Sequence, residues 1–202
     1  MSAEELYPED CPFCKIAETY PSPNSNAAIS TSQSRRDLLE AIPEKPDAEK
    51  IQPNCFVILQ APEVLAFLDI QPMTLGHVLV TSRRHATKVQ DLKGSEGSEI
   101  GFWLPHLSNA IARTIGIPDY NIVQNNGLRA AQVVPHVHFH IIPRPASVPS
   151  LRNKSWTMFG RGQRGDLEED EAERLAGKVR EELRRIVAEI EVGDGGGRGV
   201  KL

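Results

Sequence analysis

Three cysteines in 202 residues, Cys11, Cys14 and Cys55, are too few for a disulfide scaffold and fit a reducing compartment. No apolar run approaches the roughly 18 residues that cross a bilayer, so no membrane span is expected. Basic residues are in deficit. Lys and Arg total 23 against 27 Asp and Glu, a net charge of −4. No nucleic-acid partner is expected from such a balance, because binding one needs a basic face. The opening MSAEELYPED has no basic-then-apolar leader and reads as no signal peptide. The expected location is the cytoplasm, with the nucleus as the alternative. Aromatics make up only 5%, yet 40% of residues are hydrophobic, enough for the core of one domain.

Residues 11–19 read as a short helix. Residues 21–54 are rich in Pro, Ser, Asn and charge, and read as a mostly disordered insertion with one helical turn at Asp37–Ile42. Short apolar strands are expected over 55–60, 64–69 and 77–81, bounded by turn formers. Ile100, Trp103, Leu104, Leu107, Ile111 and Ile115 recur at helical spacing over 97–115, where Pro105 predicts a break or kink. Strands over 119–124 and 136–142 follow. Residues 143–166 are punctuated by Pro and Gly and are locally basic through Arg144, Arg152, Lys154, Arg161 and Arg164. Trp156 and Phe159 are candidates to pack this loop down or to stack on a base. A helix over 167–190 has one apolar stripe, and 193–202 reads as a disordered tail. The element order α, β, β, β, α, β, β, α, with short adjacent strands, predicts an antiparallel α+β fold.

The run His136-Val137-His138-Phe139-His140 puts half of the six histidines at alternate positions. On a strand these share one face, with Val137, Phe139 and Ile141 in the core behind them. Imidazole titrates near neutrality and serves as nucleophile, acid, base or metal ligand. Spacing alone favours neither a metal site nor direct histidine catalysis. Cys11-Pro12-Phe13-Cys14 is equally open: a zinc half-site, a redox pair, or two small buried residues. The redox reading needs a preceding strand, and EELYPED is not one. Cys55 opens an apolar strand and reads as a buried thiol.

Residues 125–144, NNGLRAAQVVPHVHFHIIPR, resemble the signature of the histidine triad (HIT) superfamily. Residues 67–80, FLDIQPMTLGHVLV, resemble its first nucleotide-binding stretch. Cys11-Pro12-Phe13-Cys14-Lys15-Ile16 resembles its zinc-containing branch. The resemblance implies a HIT core over 55–145 in a homodimer whose two sheets join, a zinc-knuckle segment over 1–20, and a C-terminal loop and helix over 146–192. It implies a nucleotide substrate hydrolysed to a nucleoside monophosphate such as AMP. His138 would attack the α-phosphorus to form a nucleotidyl-histidine intermediate. His140, Gln132 and Asn125 would hold the phosphate, and Asp69 would accept from the ribose. Phe13, Ile16 and Ile70 would line the base pocket, with His77 beside the triad. Cys11, Cys14, His85 and His136 would hold a structural zinc, with His106 as competitor for the fourth place. Nucleotidyl transfer, or nucleotide-binding regulation with weak catalysis, are the alternatives to hydrolysis. Many relatives carry Ser or Thr just after the glutamine. Val133 stands there instead and leaves the leaving group open between phosphoramidates and dinucleoside polyphosphates. Ala130-Ala131 replaces a more usual glycine, which predicts a stiffer loop.

Overall fold

The computed structural model describes residues 10–23, 34–146 and 165–190. Five strands form one antiparallel sheet: β1 (Val57–Gln60), β2 (Val64–Leu68), β3 (Val78–Ser82), β4 (Tyr120–Gln124) and β5 (His138–Pro143). Their order across the sheet is β1-β2-β3-β5-β4, so β5 is an interior strand. Among the described residues the α-helices are α1 (Pro12–Thr19), α2 (Arg35–Glu40), α3 (Gly94–Ile115) and α4 (Glu169–Glu189). This is the expected α+β architecture.

The sheet is covered on both faces, which is why every residue of β2 and β3 is buried. On one face α3 and α4 pack Trp103, Leu107, Val179 and Leu183 against Ile58, Val80 and Ile141. On the other, Phe13 and Tyr20 cover Val57, Leu65, Phe67 and Leu79. Successive strand residues alternate between these two cores. The second core is small, and the open part of that face forms the site.

Three departures from the expected elements have physical causes. First, α3 runs unbroken through Pro105. The missing N–H would have served the carbonyl of Gly101, which is exposed and has no side chain to meet the ring. Second, β5 begins at His138, so His136 lies just before the strand rather than on it. Its backbone N–H bonds to the Val134 carbonyl, and that of Val137 to the Ala86 carbonyl.

Third, residues 34–54 are not the expected disordered insertion, although 24–33 lie outside the described residues. Ser34 caps α2 through a reciprocal box with Asp37. Leu38, Ala41 and Ile42 are all buried in the main core. Few apolar residues suffice because all three fall on the side that meets α4 and β1. The Gln60 N–H then bonds to the Ala41 carbonyl at 2.7 Å and Arg184 donates to the Ile42 carbonyl at 2.8 Å. In α4 the predicted stripe of Ala172, Leu175, Ala176, Val179, Leu183, Ile186 and Val187 is buried, and its last member, Ile190, is half-buried past the helix end. Arg180 interrupts it, donating to the Val57 carbonyl at 2.8 Å. The basic residues Arg152, Lys154, Arg161 and Arg164, with Trp156, Phe159 and the tail, lie outside the described residues.

Candidate active site and metal centre

A cavity of about 630 Å³ opens on the sheet face opposite α3 and α4. That is within the usual range for a small-molecule site. Of the residues singled out from sequence, Phe13, Ile16, Asp69, Ile70, Asn125, His138 and His140 line it. Each is placed by its element. His138 and His140 are alternate residues of β5, Asp69 follows β2, and Phe13 and Ile16 are one helical turn apart on α1.

His138 has a defined tautomer. Its Nδ1 lies 2.6 Å from the carbonyl oxygen of His136. A carbonyl only accepts, so Nδ1 carries the proton and the basic lone pair is at Nε2. The ring is almost wholly buried, and Phe13 meets it edge-on with centroids 5.1 Å apart. An imidazole held with its Nδ1 proton on a carbonyl turns Nε2 to nucleophilic attack from the cavity wall.

His77 sits behind His140 and does not line the cavity. Its Nε2 is 2.9 Å from His140 Nδ1, and its Nδ1 is 3.3 Å from an Asp69 oxygen and 3.2 Å from the Met73 nitrogen. It buttresses His140 and Asp69 from behind. Asp69 is anchored as well, since its other oxygen accepts from the Gln71 N–H at 2.9 Å.

Gln132 also differs from expectation. It is buried and does not line the cavity. Its Oε1 accepts from the Gly127 N–H at 2.6 Å, and its Nε2 donates to the Thr87 carbonyl at 2.7 Å. Both ends of the amide are therefore bound to backbone rather than aimed at a phosphate. Ala131, just before it, adopts a left-handed conformation with φ of 61°. That conformation costs a non-glycine residue about 1 kcal/mol. Gln132 acts as a clamp between the loop of residues 125–131 and the chain at Thr87. Gln132→Ala is expected to destabilise the fold by about 1–3 kcal/mol, by leaving the Gly127 and Thr87 groups unpaired. Urea unfolding checks this.

Cys11, Cys14, His85 and His136 do come together, and their four ligand atoms lie within 4.8 Å of one another. Cys11 Sγ is 3.3 Å from His136 Nδ1, and Cys14 Sγ is 3.3 Å from His85 Nδ1. A tetrahedral ion bound at ordinary Zn–S and Zn–N lengths keeps such donors about 3.6 Å apart. The donors therefore fit a metal. The His136 Nε2–H donates to the Ser82 carbonyl at 2.8 Å, which turns its Nδ1 lone pair to the sulfurs. Burial, with smaller contributions from His85, His138 and Arg84, pushes the His136 pKa down to about 4, so it is neutral and able to ligate. Burial first, then Cys11 and Glu18, push the Cys14 thiol up to about 11. A cation reverses that preference by stabilising the thiolate. Four protein donors would fill a tetrahedral ion's positions and leave none for substrate. Arg84 reinforces it by a bidentate pair with buried Glu96, at 2.7 and 2.8 Å, beside His85. His106 stays apart on α3 against Phe102. Cys55 is the buried thiol expected, and burial pushes it up to about 12.

The cavity has further walls that sequence reasoning missed: Lys15, the stretch Ile51-Gln52-Pro53-Asn54, and Val134. Proline and asparagine composition is that of any loop, so 51–54 gave no signal.

A small antiparallel sheet that presents two histidines of an interior strand to a cavity of this size defines an α+β protein with a candidate small-molecule site. The HIT domain family model matches residues 50–147. An adenosine 5'-monophosphoramidase of Candida albicans is 31% identical over 135 residues, 65% of this chain and 84% of that protein. The chain belongs to the HIT family. An adenosine 5'-monophosphoramidase of Schizosaccharomyces pombe is 44% identical over 91 residues, 45% of this chain. The match spans 65% of that relative's length. Among solved structures, a Zn-bound histidine triad family protein of Mycobacterium smegmatis aligns with a TM-score of 0.54 and 24% identity. It covers 66% of this chain and 87% of the other, and at that identity it shows the fold.

Proposed function

We propose that this protein hydrolyses nucleoside 5'-phosphate derivatives and releases a nucleoside monophosphate such as AMP. The single observation that carries the reading is the 2.6 Å bond from His138 Nδ1 to the His136 carbonyl, which leaves Nε2 as the nucleophilic nitrogen in a cavity wall. His138 Nε2 forms a bond to the α-phosphorus as the leaving group departs with its electron pair, and water then hydrolyses the nucleotidyl-histidine. Covalent catalysis divides one hard displacement into two easier ones. His140 and Asn125 face the phosphate, Asp69 the ribose, and Phe13, Ile16 and Ile70 the base. Phosphoramidates are the favoured substrates, as the names of the two yeast relatives indicate. Dinucleoside polyphosphates are the second class. Val133 is 80% exposed and has no polar group for a leaving nitrogen, so that proton comes from elsewhere, such as solvent.

Cys11, Cys14, His85 and His136 hold one zinc ion, a reading supported by the closeness of their four ligand atoms and by the neutral His136. When bound it supplies cross-linking of α1 to the chain on either side of the sheet face, and no reaction step. A homodimer forms by joining two sheets; in one chain β4 is an edge strand and exposes Tyr120 and Ile122. The cytoplasm is the working compartment, and among the described residues no helix is long and apolar enough to cross a membrane. The functional test is incubation with adenosine 5'-phosphoramidate and, separately, a diadenosine polyphosphate. AMP release from the first at the higher kcat/KM is expected, and AMP from neither would refute the hydrolase reading.

A further inference from the structure

Residues 51–54 precede β1 and wall the cavity at the opposite side of the sheet from β5. Three strand spacings separate β1 from β5, so Val57 lies about 14 Å from His140, and residues 51–54 lead into β1 on that side. Phe13, Ile16 and Ile70, the proposed base walls, line the same cavity as residues 51–54.

Two carboxamides in this wall are oriented by a chain of hydrogen bonds. Asn54 Nδ2 donates to Glu169 Oε1 at 2.9 Å, at the start of α4. A carboxylate accepts only, so Asn54 must turn its amino group toward it. Asn54 Oδ1 then accepts from Gln52 Nε2 at 3.0 Å. Gln52 is left to offer Oε1 as an acceptor, with its second N–H beside it. Glu169 is itself held in place. The Gly165 and Leu167 N–H groups bond to the Pro72 and Ile70 carbonyls at 3.1 and 3.4 Å, tying the approach to α4 onto the loop that carries Ile70.

We infer that Gln52 reads the base, positioned by Asn54 and Glu169, and that the pocket selects a 6-aminopurine over a 6-oxopurine. The inference rests on the reading of this cavity as a nucleotide site. Phe13, Ile16 and Ile70 are apolar and indifferent to the group at position six. Adenine places an amino donor beside a ring acceptor, the complement of a carboxamide's oxygen and N–H. Hypoxanthine places a carbonyl oxygen opposite Gln52 Oε1. Flipping Gln52 to accommodate it breaks the bond to Asn54, and Glu169 prevents Asn54 from flipping in turn.

Calorimetric binding of AMP and IMP to the whole chain tests this, with turnover of the matching phosphoramidates measured in parallel. Wild type is expected to bind AMP about tenfold more tightly, the worth of one good hydrogen bond, and to show that ratio in KM. Gln52→Ala brings the ratio close to one. Asn54→Asp opposes a carboxylate to Glu169 and lowers the ratio too. Adding Glu169→Gln restores it, because the new amide donates to the new carboxylate, and a merely structural role would not give that rescue. Equal binding of AMP and IMP by wild type, or an unchanged ratio in Gln52→Ala, overturns the inference and leaves the hydrolase reading standing. Selective binding of AMP without turnover overturns the hydrolase reading instead. Binding of neither nucleotide overturns both.

Discussion

His138→Ala is expected to lower hydrolysis of adenosine 5'-phosphoramidate by roughly ten-thousandfold or more, equivalent to about 5.5 kcal/mol of barrier. The size of the effect follows from the role. A general acid or base contributes about 10²–10⁴-fold, whereas loss of the covalent nucleophile removes the two-step route altogether. The variant should still fold. The sheet around the ring is held by backbone pairing, Leu79 and Val123 lying opposite His140 on either side of β5, and does not depend on the imidazole. AMP should still bind, since the base and ribose walls are separate residues. Loss of activity with a retained AMP affinity and a thermal midpoint near wild type is the expected set of results. Steady-state kinetics, calorimetry and thermal unfolding check it together. Equal turnover by wild type and variant would remove His138 from the nucleophile's role.

The second large effect is on stability. Removing the metal with a strong chelator, or substituting Cys14→Ala, is expected to lower the thermal midpoint by about 6–12 °C. A ligand at several hundred times its dissociation constant contributes about 3 kcal/mol, and 1 kcal/mol moves the midpoint of a chain this size by about 2–4 °C. The loss is partial because α1 has other ties. Arg83 donates to the Ala17 and Tyr20 carbonyls at 3.2 and 2.8 Å, and the Tyr20 hydroxyl donates to the Asp47 carbonyl at 2.7 Å. Activity should fall with stability, since loosening α1 displaces Phe13 from the edge of His138 and opens one cavity wall. Elemental analysis should find about one zinc per folded chain, and a metal-free chain of unchanged midpoint would contradict the four-ligand centre. Acid should release the metal, because protons compete for both thiolates.

The histidine strand was the most legible part of the sequence. Alternation of polar and apolar residues is a period-two signal, and it identified the face of β5 that carries His138 and His140. The same rule overextended the strand to His136, because periodicity is blind to where a ladder starts. The metal quartet was not readable from spacing. Cys14 and His85 are 71 positions apart, and only resemblance to the zinc-containing branch joined them. Gln132 misled for a local reason. Side-chain type says what an amide can bond, but the path of the loop through Gly127 and Ala131 brings it backbone partners. Residues 34–54 misled in a third way. Composition counts apolar residues, and it cannot show that Leu38, Ala41 and Ile42 land together on one buried side. Gln52 and Asn54 belong to the same stretch, and their partner Glu169 is 115 positions from Asn54, beyond any local pattern.

Catalysis by His138 requires a covalent bond to one nitrogen. Rapid-quench reaction of the protein with adenosine 5'-phosphoramidate, followed by peptide mapping by mass spectrometry under mildly alkaline conditions that preserve phosphoramidate bonds, measures it directly. An adenylyl group on the peptide carrying His138, appearing and decaying at rates that account for AMP release and absent in His138→Ala, is the predicted result. AMP release at the same rate with no adduct on His138, or with the adduct on another residue, would contradict it.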